Sequence, residues 1–124
     1  MANYAHVRVL LNNGYTFNTS TPTINFAIDT NGWTPVTVTG VSGRTATGTI
    51  YFGGNISAGA HTFKLKLNQG EINGLMFNQQ LGLVSYLLNS NDVTRDTAGG
   101  MVKIDATYIG PGYDISSSGT VVAN

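Results

Sequence analysis

Cysteine is absent from this chain of 124 residues, proline occurs three times, and only 10% of the residues carry a charge. Without cysteine there is no disulfide framework and no thiolate nucleophile. The metal-capable residues that remain are two histidines and six carboxylates scattered along the sequence, which excludes a structural zinc site. Six basic residues balance six acidic ones. No surplus of Lys or Arg exists to displace counterions from phosphates, so a nucleic-acid partner is not expected, and neither is a strongly acidic or basic one. No apolar run is long enough to span a bilayer. The opening residues Met1 to Arg8 lack the basic flank, apolar stretch and small-residue cleavage site of a signal peptide. No period of 20 to 50 residues marks a propeller or solenoid. A chain of this length buries roughly 65% of its unfolded surface, enough for one core and one domain, residues 1–124.

Gly, Thr, Asn and Ser make up 53 of the 124 residues, mixed with β-branched and aromatic apolar residues. Disordered chains are poor in those apolar types, whereas 41% of this chain is hydrophobic, so it folds. Period-two alternation recurs along it. Val7, Val9 and Leu11 share one face of Tyr4–Leu11, and Ile24, Phe26 and Ile28 share one face of Thr23–Asp29. Val36 and Val38 do the same in Trp33–Val41, where Pro35 places the first residues of the strand at an edge or outside the ladder. Ala46–Phe52 carries Ile50 and Phe52 inward and is expected to end at Gly53-Gly54-Asn55. Ala60–Leu67 sets Phe63, Leu65 and Leu67 against Thr62, Lys64 and Lys66, the two lysines serving solubility. Met101–Ile109 forms a further strand, and a last short one is expected around Thr120–Ala123 after the serines 116–118. Glu71–Leu88 fits a helix almost as well as two strands, with Gly74 and Gly82 favouring strands and a helical turn still open near Gln80–Asn89. Turn signals at Asn12-Asn13-Gly14, Asn31-Gly32 and Gly110-Pro111-Gly112 separate these pieces. The expectation is an all-β fold, an antiparallel β-sandwich of jelly-roll/TNF-like or immunoglobulin-like type with about eight short strands.

No constellation names a reaction. The Gly-x-Ser-x-Gly pentapeptide of a hydrolase is missing, and His6 and His61 read as strand residues bonded to neighbours. Asp92, Asp96, Asp105 and Asp114 sit in or beside loops, where solvated or turn-capping roles outweigh paired-carboxylate catalysis. Asn89, Asn91, Asp92 and Asp96 resemble an oxygen-rich calcium loop but lack the spacing, central glycine and closing glutamate of an EF-hand. The Gly-rich pieces lack the Lys-Ser/Thr of a P-loop, and the sequons at Asn18 and Asn55 have no secretory context. No catalytic, cofactor-binding or metal-binding residue is therefore assigned. Trp33 is the one exception to this blandness: with Asp29 and Asn31 beside it, a flat apolar ring and hydrogen-bonding groups make up the kit of a carbohydrate-binding site. Packing in the core or at an interface is the competing role.

Outward strand positions filled by Thr, Asn, Ser and Tyr leave few charged gatekeepers, so an isolated sandwich would risk edge-to-edge association. Burial of that surface against sibling copies or a larger scaffold resolves the conflict, since interface cores are depleted in charge and enriched in aromatics and Met. The run Ile56-Ser57-Ala58-Gly59-Ala60-His61-Thr62-Phe63-Lys64-Leu65-Lys66 resembles the "SAGxHTVxLxL" strand onset of β-sandwich modules in phage structural proteins, trimeric TNF-like or jelly-roll heads among them. Immunoglobulin-like and fibronectin-like modules share the phrase. The resemblance covers eleven residues and implies a virion protein: a capsid decoration or cement protein, made in the host cytoplasm, that forms a homo-oligomer, a trimer by analogy, and binds capsid protein. It carries over no catalytic residue. A carbohydrate-binding module or receptor-binding tip centred on Asp29, Asn31 and Trp33 is the alternative.

Overall fold

A computed structural model describes residues 2–57, 59–89 and 98–123. Eight strands of five or more residues carry the fold, and every pairing between strands is antiparallel. In chain order they are β1 (Ala2–Leu11), β2 (Thr16–Phe17), β3 (Ile24–Ile28), β4 (Thr34–Pro35), β5 (Thr37–Ser42), β6 (Thr45–Ile56) and β7 (Gly59–Asn68). A 3-10 turn (Gln69–Glu71) leads to β8 (Ile72–Asn73), β9 (Gln80–Asn89), β10 (Ala98–Thr107) and β11 (Asp114–Ala123). Nine of these form one sheet in the order β4-β3-β7-β11-β10-β9-β1-β6-β5, and β2 pairs with β8 as a separate ribbon.

Alternating apolar residues explain how the sheet folds over itself. Val7, Val9 and Leu11 of β1, Ala46 and Ile50 of β6, and Ile104 of β10 are buried. They form one cluster with Ile24, Phe26 and Ile28 of β3, Phe63, Leu65 and Leu67 of β7, and Ile115 of β11. Strands distant in the sheet order share this core, so the two halves of the sheet face each other as a sandwich. The rings of Phe26 and Phe63, 4.8 Å apart and tilted by 45°, lie at its centre.

One short stretch of chain ties the sheet's two ends together. Pro35 pairs with Asn25 at the β3 edge, Thr37 pairs with Thr49 at the β6 edge, and between them the Val36 amide donates to the Ile24 carbonyl at 2.9 Å. Pro35 thus sits on an edge, where its missing N–H costs no ladder bond. Gly48 is required opposite this crossing: a Cβ there would overlap Val36 Cγ1 and lie 2.7 Å from the Thr37 carbonyl oxygen.

Three expectations need correction. Gln80–Asn89 is not helical at any point; it is strand β9, hydrogen-bonded to β1 on one side and β10 on the other, because its backbone groups find partners on both flanks. Strand β6 runs through Gly53-Gly54-Asn55 to Ile56, where it pairs with Ala2. The serines 116–118 do not precede the last strand but lie within it, paired with Lys66, Leu65 and Lys64. The calcium-loop residues Asn91, Asp92 and Asp96 lie outside the described residues, and Asn89 is the last residue of β9.

Candidate functional site

Strand β3 ends in a turn closed by the Asn31 amide donating to the Ile28 carbonyl at 3.0 Å. Asp29 enters that turn at φ 54°, in the left-handed region that Asp tolerates through local side-chain bonds. Its carboxylate points back across β7: Oδ1 accepts from the Thr62 amide at 3.1 Å, and Oδ2 lies 2.8 Å from His61 Nδ1. The other ring nitrogen of His61, Nε2, is 2.8 Å from the Ser57 carbonyl oxygen and 3.3 Å from Ser57 Oγ.

Acid, imidazole and hydroxyl therefore stand in the order of a hydrolytic triad, yet the proton count opposes that use. Carboxylate and carbonyl oxygens only accept, so short contacts to both require a proton on each ring nitrogen. The hydrogen bond to Asp29 and that to the Ser57 carbonyl hold the His61 pKa above its ordinary value, and the bond from His61 holds the Asp29 carboxyl below the usual range. With Nε2 donating to the Ser57 carbonyl, no lone pair of the ring faces the Ser57 hydroxyl to take its proton. The cluster acts as a clamp joining the end of β3 to the chain entering β7.

The same turn delivers Trp33 onto the outer face of the sheet. There Lys66 Nζ stands 4.7 Å and Lys64 Nζ 5.5 Å from the indole ring centroid, both within cation–π range. The two lysines occupy successive outward positions of β7. Lys66 is flanked in register by Asn25 and Ser116, and Lys64 by Ala27 and Ser118. Trp33 remains 39% exposed. Of the three residues expected to bind sugar, the structure brings Asp29, Asn31 and Trp33 into one turn, but it commits both carboxylate oxygens of Asp29 to the protein. Beneath the turn a cavity of about 130 Å³ is lined by Asn31, Gly32 and Thr34 over Phe26, Ile28 and Phe63.

A second surface forms at the far end of β7. Gln69 is buried, and its side chain joins two segments that the sequence keeps far apart: Nε2 donates to the Thr107 carbonyl at 3.3 Å, and Oε1 accepts from the Ile109 amide at 3.2 Å. Its backbone amide donates to the Tyr113 carbonyl at 2.8 Å. The Asn78 amide donates to the Tyr108 carbonyl and the Tyr108 amide to the Gln79 carbonyl, each at 2.9 Å. Four large apolar side chains stand out from this hydrogen-bonded platform: Met76 (67% exposed), Phe77 (72%), Ile109 (50%) and Tyr113 (55%).

Neither the clamp, the lysine pair over Trp33 nor the Gln69 platform was reached from sequence. His61 does bond to a neighbour in sequence, Ser57, but its second partner Asp29 is 32 residues away, and no local pattern connects them. Among the described residues, no group of three or more His, Cys, Asp or Glu is placed to hold a metal ion. No helix among them is long and apolar enough to cross a membrane. No protein-family model matches the chain, and no curated protein matches it. Among solved structures it is similar to a domain of unknown function, DUF4425, from Bacteroides vulgatus, with 9% sequence identity, 98% of each chain covered and a TM-score of 0.37.

Proposed function

We propose that this chain is a structural virion protein, a capsid decoration or cement protein that works by binding rather than by catalysis. It acts as a small homo-oligomer whose copies grip the shell together. The observation that carries this reading is the set of exposed side chains Met76, Phe77, Ile109 and Tyr113 at one end of the sandwich, on backbone joined through Gln69 and Tyr108. Large exposed apolar side chains grouped on ordered backbone are a feature of association surfaces, where Met and aromatic residues anchor the contact. A protein with so few charges has little to keep such a surface apart from its partners. Several modest footprints on one rigid oligomer raise avidity far beyond that of each contact. The virion setting rests on the resemblance of residues 56–66 to phage β-sandwich modules.

Light scattering after size exclusion, together with co-sedimentation with capsids, tests the proposal. The wild type is expected at a multiple of 13.1 kDa and in the pellet with shells. The double variant Met76→Ser/Phe77→Ser is expected to fall to the monomer mass and stay in the supernatant. A monodisperse wild-type monomer that ignores shells overturns the reading.

A further inference from the structure

We infer that the outer face of β3, β7 and β11 around Trp33 binds an acidic glycan, a sugar chain bearing carboxylate or sulfate groups. This site is distinct from the apolar platform, and the inference does not depend on attachment to a shell.

Charge is the first reason. The chain as a whole is neutral, yet this face gathers two ammonium groups over one indole ring. Among the described residues neither lysine has a carboxylate within ion-pair distance, the carboxylate of Asp29 being paired with His61. Asp29, the acid in Trp33's own turn, already accepts from His61 and from the Thr62 amide. Two like charges roughly 7 Å apart along a strand on a ring they both approach form an uncompensated positive spot, and one bridging oxyanion satisfies both at once.

The second reason is the chemistry around the charge. Ser116 and Ser118 stand directly across from Lys66 and Lys64, and Asn25 stands across from Lys66 on the other side. These are short hydroxyl and amide groups suited to sugar hydroxyls. The indole supplies the flat apolar surface on which the C–H face of a pyranose stacks. An acidic sugar uses every one of these groups, whereas a neutral sugar leaves the ammonium pair unanswered.

The topology argues against an acidic peptide. Both β7 and β11 are interior strands of the sheet, so neither has a free edge to which an extended backbone could pair. Recognition here falls to side chains on a broad face. A nucleic acid would call for many more phosphate contacts than two lysines provide.

Trp33 is the only tryptophan in the chain, so its fluorescence reports this site directly. The full chain is titrated with a heparin hexasaccharide, a hyaluronan hexasaccharide and neutral cellohexaose. One or both acidic glycans are expected to shift the emission, with affinity falling as salt is raised, while cellohexaose has no effect; the two acidic arms tell sulfate from carboxylate recognition. Lys64→Gln/Lys66→Gln should weaken binding at least tenfold by calorimetry with unchanged thermal unfolding, and Trp33→Ala should weaken it comparably. Equal binding of cellohexaose, no binding of either acidic glycan, or an undiminished affinity in the lysine variant overturns the inference. Acidic-glycan binding that Trp33→Ala leaves intact overturns it too, since charge alone would then account for it.

Discussion

Asp29 combines a left-handed backbone with a carboxylate whose two oxygens each accept a hydrogen bond from β7. Asn tolerates the same conformation, so Asp29→Asn removes the charge and spares the turn. His61, with its pKa raised, contributes stability that is complete below its ordinary value of about 6.5 and is lost as pH rises through the raised one. Asp29, with its pKa lowered, contributes stability that is complete above about 3.9 and is lost as pH falls through the lowered one. The clamp therefore helps most between these two ordinary values. Denaturant midpoints should drop from pH 5.5 to pH 9 more in the wild type than in Asp29→Asn, and an NMR titration should find the His61 midpoint lower in the variant. Equal midpoints for His61 in both proteins contradict the clamp. Gln69 is the other residue whose role depends on distant partners. Gln69→Leu keeps the apolar bulk but strands the Thr107 carbonyl and Ile109 amide, which costs about 2–4 kcal/mol in chemical denaturation. A change within experimental error would mean that the platform does not rely on it.

Strand β5 depends on Gly48 for its approach to β6. Replacing Gly48 with Ala puts a methyl into Val36 and the Thr37 carbonyl, where backbone rather than a flexible tip must yield. Thermal unfolding of Gly48→Ala is expected to show a loss of about 1–3 kcal/mol, and wild-type stability would show that the corner adapts freely. Alternation made β1, β3 and β7 legible, because each turns its large apolar residues to one face. Alternation does not mark the serines 116–118 as strand. Ser116 and Ser118 are exposed and Ser117 is half-buried, so nothing apolar marks the inward face. The run is strand only because β7 offers it an unbroken ladder from Asn68 to Gly59. Gln80–Asn89 escaped assignment for the opposite reason. Its apolar residues follow no single period, and pairing with β1 and β10 on either side decides the matter.

At the scale of the molecule, the sandwich presents two unlike surfaces joined by β7, whose ten residues span roughly 33 Å. One end carries the apolar platform assigned to association, and the outer face carries the lysine pair over Trp33. Loss of oligomer mass in Met76→Ser/Phe77→Ser with glycan binding retained, and the reverse in Lys64→Gln/Lys66→Gln, is the expected separation of the two. Length, the lack of cysteine, sparse charge and period-two patterning determined an all-β antiparallel sandwich and most of its core, since burial of one strand face is written locally. Which strands become neighbours was decided by the tertiary structure alone. So were the meeting of Asp29 with His61, of Trp33 with Lys64 and Lys66, and of Gln69 with Thr107 and Ile109, because each joins residues whose spacing in the chain carries no period and whose partners are set by which strands lie side by side.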